Sequence, residues 1–430
     1  MVKNEFLIRA RLARRIILKR AMGVVLRSAD ALVIVAFAMT AGSGAAYEQD
    51  WGKPVWSDEF NSSVRGAPPD ASNWNYEVGG DGWGNHELEI YCAAGAGGTA
   101  TASEVAAPAV CNVEQPNAFQ DGKGHLIIRA LRVSAEPAPT GTWTSARMKS
   151  VGLREFQYGR MESCMKLPVG AGLWPAFWMM GTGARWPAGG ELDIMENISA
   201  TGGSENRLGP TKVEGTIHGP STSPSGHFSL TQVDTLPVGG RVDDSTPGCH
   251  VYGAIWSPFM IQIYVDDWRK PYFIRTAADV PADGRWVFNA PFYFLLNLAV
   301  GGDWPGPPDV ATPSPADVVV DYVRVFKSSR MEAPVMKAAP LKSVDGTAST
   351  VLSMTSRAGG GYVYVGCTAE SAGAVCSVDT GNALNASVVD FGAGETQTAK
   401  ITVKNAVNSR VTVTAYTVSG EQASVVIPVG

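Results

Sequence analysis

The sequence predicts an all-β protein, in which an antiparallel β-sandwich or barrel precedes a smaller, immunoglobulin-like β-sandwich. From residue 51 to about residue 328, short apolar or alternating runs are separated by Gly, Pro, Asn and Asp, and no long stretch with a 3.6-residue period competes with them. The 430 residues include 48 Gly, 27 Pro and 12 Trp, and 45% are hydrophobic against 17% charged. Short strands joined by tight turns around a large core account for all three observations.

The first 46 residues read as an export signal. They carry eight Lys or Arg against two acidic residues, and an uncharged run over residues 31–46 ends in small residues suited to cleavage. This run is short for a membrane span, which needs roughly 20 residues. A signal peptide is therefore expected, with an uncleaved anchor and a buried helix as the alternatives. Either of the first two predicts a secreted or cell-envelope protein.

The rest of the chain is acidic. Without residues 1–46 it holds 27 Lys or Arg and 38 Asp or Glu, a formal charge of −11. A chain with this net negative charge does not attract nucleic acid or an anionic membrane, so both are excluded as default partners. We expect a monomer.

All six cysteines follow the predicted signal, where disulfides are permitted. Cys92 and Cys111 flank an Ala-, Gly- and Thr-rich loop, and a disulfide across its base would limit the entropy of that loop. Cys367 and Cys376 are close in sequence and are predicted to join two strands. For Cys164 and Cys249 the sequence leaves pairing and separate burial open.

The segment Gly189-Gly-Glu-Leu-Asp-Ile-Met-Glu-Asn197 carries the predicted chemistry. Glu191 and Asp193 share one face of a strand, and a one-residue bulge near residues 194–195 would return Glu196 to that face. Three crowded carboxylates are costly unless they act in catalysis or bind a cation. An exposed acidic strand face and a metal site are the alternatives to catalysis.

The spacing of these acids favours glycoside hydrolysis. Four strand steps span about 13 Å between Cα atoms, and two Glu side chains leaning inward leave about 5–6 Å between their carboxyl groups. That is near the ~5–5.5 Å of retaining glycosidases and short of the ~6.5–9.5 Å of inverting ones. Glu191 is the predicted nucleophile and Glu196 the predicted general acid and base. The charge of Asp193, between them, is expected to raise the pKa of Glu196.

The segment Glu-Leu-Asp-Ile-Met-Glu resembles the catalytic signature of glycoside hydrolase family 16 in its bulged, laminarinase-like form. Further motifs agree in order along residues 51–327, including Gly82-Trp-Gly-Asn-His-Glu-Leu-Glu89, Leu173-Trp-Pro-Ala-Phe-Trp-Met179 and Leu296-Asn-Leu-Ala-Val-Gly-Gly-Asp-Trp-Pro305. The resemblance implies that residues 47–328 form a catalytic β-jelly roll with a concave glycan cleft. The implied activity is that of an endo-β-1,3-glucanase with no cofactor for catalysis.

Six residues are expected to bind substrate. Trp174 and Trp178 share one strand face, which we assign to the cleft because sugar rings pack on aromatic planes; core packing is the alternative. Trp186 is a further expected platform. His218 is expected near the scissile bond, unless it is a buried structural histidine. Asn297 interrupts the apolar run of residues 292–299, which suits a polar position facing the cleft, and the resemblance places Asn85 against sugar hydroxyls.

The chain departs from the family pattern in several places. Glu162-Ser-Cys164 stands where such sequences often have Glu-Ala-Arg, and Cys249 replaces an aromatic residue, so that Cys164 and Cys249 could form an atypical disulfide. Glu59 and Asp321 match positions near a structural calcium site in many relatives. Read alone, both could be ordinary turn acids.

Residues 329–345 contain two Pro and no strand signal, which predicts a linker. Residues 346–430 form the expected small β-sandwich, and all 12 Trp precede this segment. A stabilising or spacer role is therefore expected for it, with glycan or cell-surface binding as the alternative. For the whole protein, mixed-linkage glucan or galactan are alternative substrates, and a non-catalytic β-glucan-recognition protein is the alternative function.

Overall fold

The structure, a computed structural model, is built almost entirely of β-strands, as the sequence predicts. It describes residues 51–93, 110–112, 114–133, 143–198, 208–244, 248–344, 346–357, 361–392, 394–405 and 410–429. The predicted signal or anchor, residues 1–46, lies outside this set. Among the described residues, no helix has the length and apolarity required to span a bilayer.

Eighteen strands and four 3₁₀ turns are described in the first part of the chain. The strands are β1 (Trp56–Asp58), β2 (Asn75–Glu77), β3 (Glu89–Tyr91), β4 (Ala118–Gln120), β5 (Leu126–Arg132), β6 (Trp143–Ser145), β7 (Arg147–Lys149), β8 (Glu155–Phe156), β9 (Gly159–Lys166), β10 (Leu173–Gly181), β11 (Glu191–Glu196), β12 (Lys212–Pro220), β13 (His227–Thr235), β14 (His250–Ser257), β15 (Met260–Val265), β16 (Phe273–Thr276), β17 (Phe292–Val300) and β18 (Ala316–Phe326). The turns are Gly82–Gly84, Gly209–Thr211, Pro237–Gly239 and Ala277–Asp279.

These strands form two stacked sheets. The first, which we call the outer sheet, has the order β16-β15-β14-β9-β18-β5-β6-β3, with β1 on β18 and β4 on β5. The second, the cleft sheet, has the order β13-β12-β11-β10-β17-β7-β2, with β8 on β17. Neighbouring strands are antiparallel except β3 and β6. The apolar faces meet in one core, as the antiparallel sandwich prediction requires.

Strand β11 begins at a position that only glycine fills easily. Gly190 has a φ of 83°, and a Cβ there would lie 2.8 Å from the Val287 side chain. The strand that follows alternates between the core and the opposite face of the cleft sheet. Leu192 is buried in the core, whereas Glu191 and Glu196 are partly buried on the cleft face.

The C-terminal part is a second pair of sheets, as predicted. Its strands are β19 (Val335–Ala338), β20 (Lys342–Val344), β21 (Thr347–Thr355), β22 (Gly361–Ala369), β23 (Val375–Asp379), β24 (Val388–Phe391), β25 (Thr396–Lys404), β26 (Arg410–Thr417) and β27 (Gln422–Pro428). One sheet has the order β19-β21-β25-β23 with β20 on β21, and the other has the order β24-β22-β26-β27. The immunoglobulin-like connectivity stays a prediction.

Residues 329–345 differ from the linker that the sequence predicts. Two short strands in this segment, β19 and β20, pair with β21 and extend the C-terminal sheet. Each is three or four residues long and lies at a sheet edge, where pairing to one neighbour requires no alternating pattern of its own.

The C-terminal sheets also share a core with the outer sheet. Ile255, Met260 and Ile274 of the outer sheet belong to the same buried cluster as Leu352 and Val413 of the C-terminal sheets. The segment is thus packed against the rest of the chain by apolar contacts and is more than a tethered module.

Both predicted disulfides are present, together with a third. Cys92 pairs with Cys111 and Cys164 pairs with Cys249, with Cα–Cα distances of 5.7 and 5.5 Å. The bond from Cys367 on β22 to Cys376 on β23 joins the two C-terminal sheets. The pairing of Cys164 with Cys249, which the sequence left open, links the start of β14 to its neighbour β9.

Candidate active site

A one-residue bulge in β11 sets the geometry of the site. Asp193 pairs with Thr216 of β12 and Glu196 pairs with Glu214, so three steps along β11 match two along β12. The register against β10 shifts at the same point. Because the extra residue restores the face of Glu196, this bulge confirms the sequence prediction.

The predicted residues meet in one cleft of about 570 Å³ on the open face of the cleft sheet. The nine predicted catalytic and substrate-binding residues that line it are Glu191, Asp193, Glu196, Asn85, Trp174, Trp178, Trp186, His218 and Asn297. Further residues in its lining are Trp83, Gly84, Glu87, Arg147, Ala176, Met180, Glu214, Thr216, His227, Thr231, Ala299 and Trp304.

Strand β10 divides its aromatic side chains between the two faces, as predicted. Trp174 and Trp178 are half-buried and line the cleft, whereas Phe177 and Met179 are fully buried in the core. Trp174 contacts Trp304 edge-on with ring centroids 5.1 Å apart. Together these rings give the cleft apolar planes beside the acids.

Burial keeps the three acids from all being ionised at neutral pH. Burial, and then the charge of Asp193, raises the pKa of Glu191 to about 8. Burial also raises the pKa of Asp193 above its usual range. For Glu196 the pKa lies well above its usual range, first because of burial and then because of the charges of Asp193 and Glu214. The predicted effect of Asp193 on Glu196 has the expected direction, but burial is the larger cause.

Trp174 and His218 contact the acids directly. The Trp174 indole donates a hydrogen bond from Nε1 to Oε1 of Glu196 at 2.9 Å. His218, which pairs with Glu191 across the strands, places Nε2 3.3 Å from Oδ2 of Asp193. His218 therefore lies beside the acids, as predicted, and in its protonated form it would offset part of their negative charge.

The far wall of the cleft is a polar network that fixes Trp178. The Trp178 indole donates to Oδ1 of Asn297 at 2.7 Å, and Asn297 in turn donates to the Tyr91 hydroxyl at 3.1 Å. Asn85 donates to Glu87 at 3.0 Å. Asn297 was predicted to bind sugar hydroxyls; it lines the cleft, but its amide already holds Trp178 in place.

Trp186 stands at the opposite rim. It is 44% exposed, and its ring centroid lies 5.0 Å from that of His227. The exposure of a large aromatic side chain in a cleft is typical of a sugar platform.

The two predicted calcium ligands do not form a shared cluster among the described residues. Both carboxylate oxygens of Glu59 accept hydrogen bonds from Arg324, at 2.9 and 2.6 Å, so this side chain does not fit the role of a calcium ligand. Asp321 lies beside the disulfide of Cys164 and Cys249. Calcium binding stays a prediction.

Sequence reasoning did not single out Glu214, Arg147 and Trp304. Glu214 lies four residues before His218 on the same strand, so alternation from His218 predicts its face. Trp304 belongs to the motif over residues 296–305, but the motif by itself assigns no role to this residue. The Arg147 guanidinium lies over the rings of Trp83 and Trp178, 5.2 and 4.6 Å from their centroids. No local sequence pattern predicts this contact.

Comparisons with known proteins agree with this geometry. The model of the family described as glycosyl hydrolases family 16 matches residues 109–324. The chain is 38% identical to a beta-glucanase of Rhodothermus marinus over 285 residues, 64% of this chain and 84% of that protein. It is 34% identical to glucan endo-1,3-beta-glucosidase A1 of Niallia circulans over 295 residues, 64% of this chain and 37% of that protein.

A solved structure is also similar to this chain. The catalytic domain of an endo-1,3-beta-glucanase (laminarinase) from Thermotoga petrophila matches with a TM-score of 0.51 and 33% identity. The match covers 66% of this chain and 100% of that one.

Proposed function

Since the chain belongs to glycosyl hydrolases family 16, we propose that it is a retaining endo-glycosidase that hydrolyses β-1,3 linkages in β-glucan. One observation carries the proposal. The bulge in β11 brings Glu191, Asp193 and Glu196 to one face of the cleft sheet, inside a cleft with aromatic walls. The beta-glucanase and endo-1,3-beta-glucosidase relatives support a glucan substrate.

The roles of the acids follow from their surroundings. In the first step the Glu191 carboxylate attacks the anomeric carbon, and Glu196 gives its proton to the departing glycosidic oxygen. In the second step Glu196 takes a proton from water, and that water displaces Glu191 from the sugar. Glu191 must start ionised and Glu196 protonated. The pKa of Glu196 is raised further than that of Glu191, which is raised to about 8, so Glu191 loses its proton first and the order of ionisation supports these roles.

The register supports double displacement through one nucleophile. Glu191 and Glu196 pair with His218 and Glu214, which are four residues apart on β12. A regular strand spans about 13 Å over that distance, and side chains leaning inward bring the carboxyl groups to roughly 5–6 Å. A separation in that range leaves no room for a water molecule between the acid and the sugar.

Asp193 and His218 act on the charge balance of the site. Asp193 is nearly fully buried between the two Glu, and His218 lies at its edge. When Glu191 bonds to the sugar in the glycosyl-enzyme, it loses its negative charge. The neighbouring buried carboxyl of Asp193 can then change its own protonation state. We propose that Asp193 balances the charge of Glu191 in this way and that His218 orients the Asp193 carboxyl.

The other parts of the chain are assigned by the same reasoning. We propose that residues 1–46 direct export, which would place the enzyme outside the cell or in the cell envelope, and that the C-terminal sheets stabilise the catalytic sandwich. The core that they share with the outer sheet supports the second proposal.

The proposal is tested by measuring reducing ends released from laminarin, lichenan, agarose and galactan in parallel. Laminarin is expected to give the highest rate, and Glu191→Ser should give none with any substrate. Faster release from lichenan, agarose or galactan would contradict the proposed linkage. Binding to laminarin without release from any polymer would instead indicate a recognition protein.

A further inference from the structure

A fourth carboxyl group lies in the catalytic cleft. Glu214 on β12 is the direct cross-strand partner of Glu196, and both side chains line the cleft. The Cβ atoms of such partners lie about 4.5–5.5 Å apart, and like charges there repel each other. The two carboxyl groups therefore interact across the strands, inside the cleft.

The alternation of side chains along β12 places Glu214 in the cleft. Strand β12 alternates between core residues, such as Val213 and Ile217, and cleft residues, such as Glu214 and His218. Within the described part of the chain, no side chain or backbone group donates a hydrogen bond to the Glu214 carboxyl, and the charge of His218 is its main favourable interaction. A partly buried acid that accepts no hydrogen bond from the protein is free to act on its neighbours through its charge.

We propose that Glu214 is a positioning residue for the general acid: its negative charge, directly across the strands, keeps the proton on Glu196 until the glycosidic oxygen takes it. The inference rests on the proposed function, because it deepens the assignment of Glu196 as proton donor. It adds a second source of negative charge beside Asp193, on a different strand.

The order of ionisation supports the proposal. Burial raises the pKa of Glu214, but His218 counteracts this increase. Glu196 is more deeply buried and faces Asp193 as well as Glu214, so its pKa is raised further. As the pH increases, Glu214 therefore loses its proton first, and its charge then opposes the ionisation of Glu196.

The other groups that face Glu196 are known and can be held constant. Asp193 lies on its own strand, His218 lies on β12, the Trp174 indole donates to it from β10, and the buried Tyr272 hydroxyl interacts with both Glu196 and Glu214. Asp193 raises the pKa of Glu196, whereas Trp174 and His218 lower it. Glu214→Gln removes one charge from this set and keeps the size of the side chain.

The test compares Glu214→Gln with a matched charge change on the other face. Asp234 on β13 pairs with the buried residue Val213, and so its side chain lies on the side of the sheet away from Glu196. Glu214→Gln should move the alkaline limb of the kcat/KM profile on laminarin to lower pH by about one unit. Asp234→Asn should leave the limb where it is.

A second measurement does not depend on hydrolysis. The Nε1–H signal of Trp174 in ¹H–¹⁵N NMR reports the charge of Glu196, to which it is hydrogen-bonded. We would titrate it in Glu191→Ser and in the double variant with Glu214→Gln. A lower midpoint in the double variant supports the proposal, and an unchanged midpoint overturns it.

The outcomes separate the two proposals. If the wild type releases no reducing ends from any glucan, the proposed function fails, while the Trp174 titration still tests the coupling. If the wild type is active but Glu214→Gln raises KM and leaves both the alkaline limb and the Trp174 midpoint unchanged, Glu214 contacts the sugar and does not position the proton.

Discussion

The indole N–H of Trp174 is bonded to the carboxyl of Glu196, with 2.9 Å between Nε1 and Oε1. The same ring lies edge-on against Trp304. Trp174 therefore has two roles at once: it forms part of the aromatic wall, and it orients the proposed proton donor. A hydrogen bond to a carboxylate favours its charged form, so Trp174 acts on Glu196 in the opposite direction to burial.

Trp174→Phe should separate these roles. The ring contact with Trp304 would largely remain, but the hydrogen bond to Glu196 would be lost. We expect kcat to fall about tenfold, because the acid is less well oriented, and the alkaline limb to move to higher pH. A pH–rate profile checks the direction of the shift. A move to lower pH would mean that the Trp174 hydrogen bond does not stabilise the ionised form of Glu196.

Glu191→Ser should remove the nucleophile without disturbing the fold. The side chain of Glu191 is partly buried in the cleft and lies outside the hydrophobic core. We expect hydrolysis of laminarin to fall by at least about 10³-fold, with an unchanged far-ultraviolet circular dichroism spectrum. Turnover within tenfold of the wild type in a folded variant would remove Glu191 from the role of nucleophile.

The same carboxyl should make the protein less stable as the pH rises. Its pKa is raised in the folded state from 4.5 to about 8, so the folded protein binds more protons than the unfolded chain between these values. Folding stability must then decrease as the pH increases through that window. Glu191→Gln has no proton to lose, and its Tm relative to the wild type should increase by at least about 2 °C between pH 5 and pH 9.

The control for this measurement is Glu332→Gln, at an exposed position outside the cleft. Its Tm difference from the wild type should stay constant over the same pH range. If both variants gave the same trend, the effect would reflect the net charge of the protein and not the burial of Glu191.

The catalytic strand could be predicted from the sequence because the residues that determine its two faces are neighbours in the sequence. Period-two alternation assigns Glu191 and Asp193 to one face, and the apolar residues between Asp193 and Glu196 require a bulge if Glu196 is to join them. The faces of β10 follow in the same way. In each case one buried face determines the other.

The rest of the site depends on pairing between strands that are distant in sequence. Nothing near Glu214 in the sequence indicates that it faces Glu196, because the register of β11 against β12 is set by the bulge and by the core. Asn297 and Tyr91 meet across 206 residues. The strands in residues 329–345 were missed for a related reason, since an edge strand takes its shape from the neighbour to which it is paired.

The C-terminal sheets give a prediction of their own. The Phe259 ring lies 4.3 Å from that of Tyr416, centroid to centroid, and Asn385 donates a hydrogen bond to Asp279 at 2.6 Å. Truncation after Ser328 keeps every residue that lines the cleft but exposes the apolar face of the outer sheet. We expect unchanged kcat on soluble laminarin at 25 °C and a Tm lower by several degrees.

A point variant provides the matched control. Phe259→Ala in the full chain weakens the same interface and should lower the Tm less than the truncation does. An unchanged Tm in the truncated protein would mean that the shared core adds no stability, and a loss of kcat at 25 °C would mean that the C-terminal sheets act on the cleft.

The stereochemistry of hydrolysis tests the spacing of Glu191 and Glu196. Their strand partners are four residues apart on β12, which favours the short carboxyl separation of a retaining enzyme. Glu191 would then occupy the α face of the sugar in a covalent intermediate, and water would replace it from the β face. The first sugar released must be the β-anomer, which mutarotation converts to the equilibrium mixture only later. Proton NMR in the first minutes of hydrolysis of a β-1,3-linked oligosaccharide distinguishes the anomers by their H1 signals. If the α-anomer appeared first, water would have attacked directly, and Glu191 would be a base rather than a nucleophile.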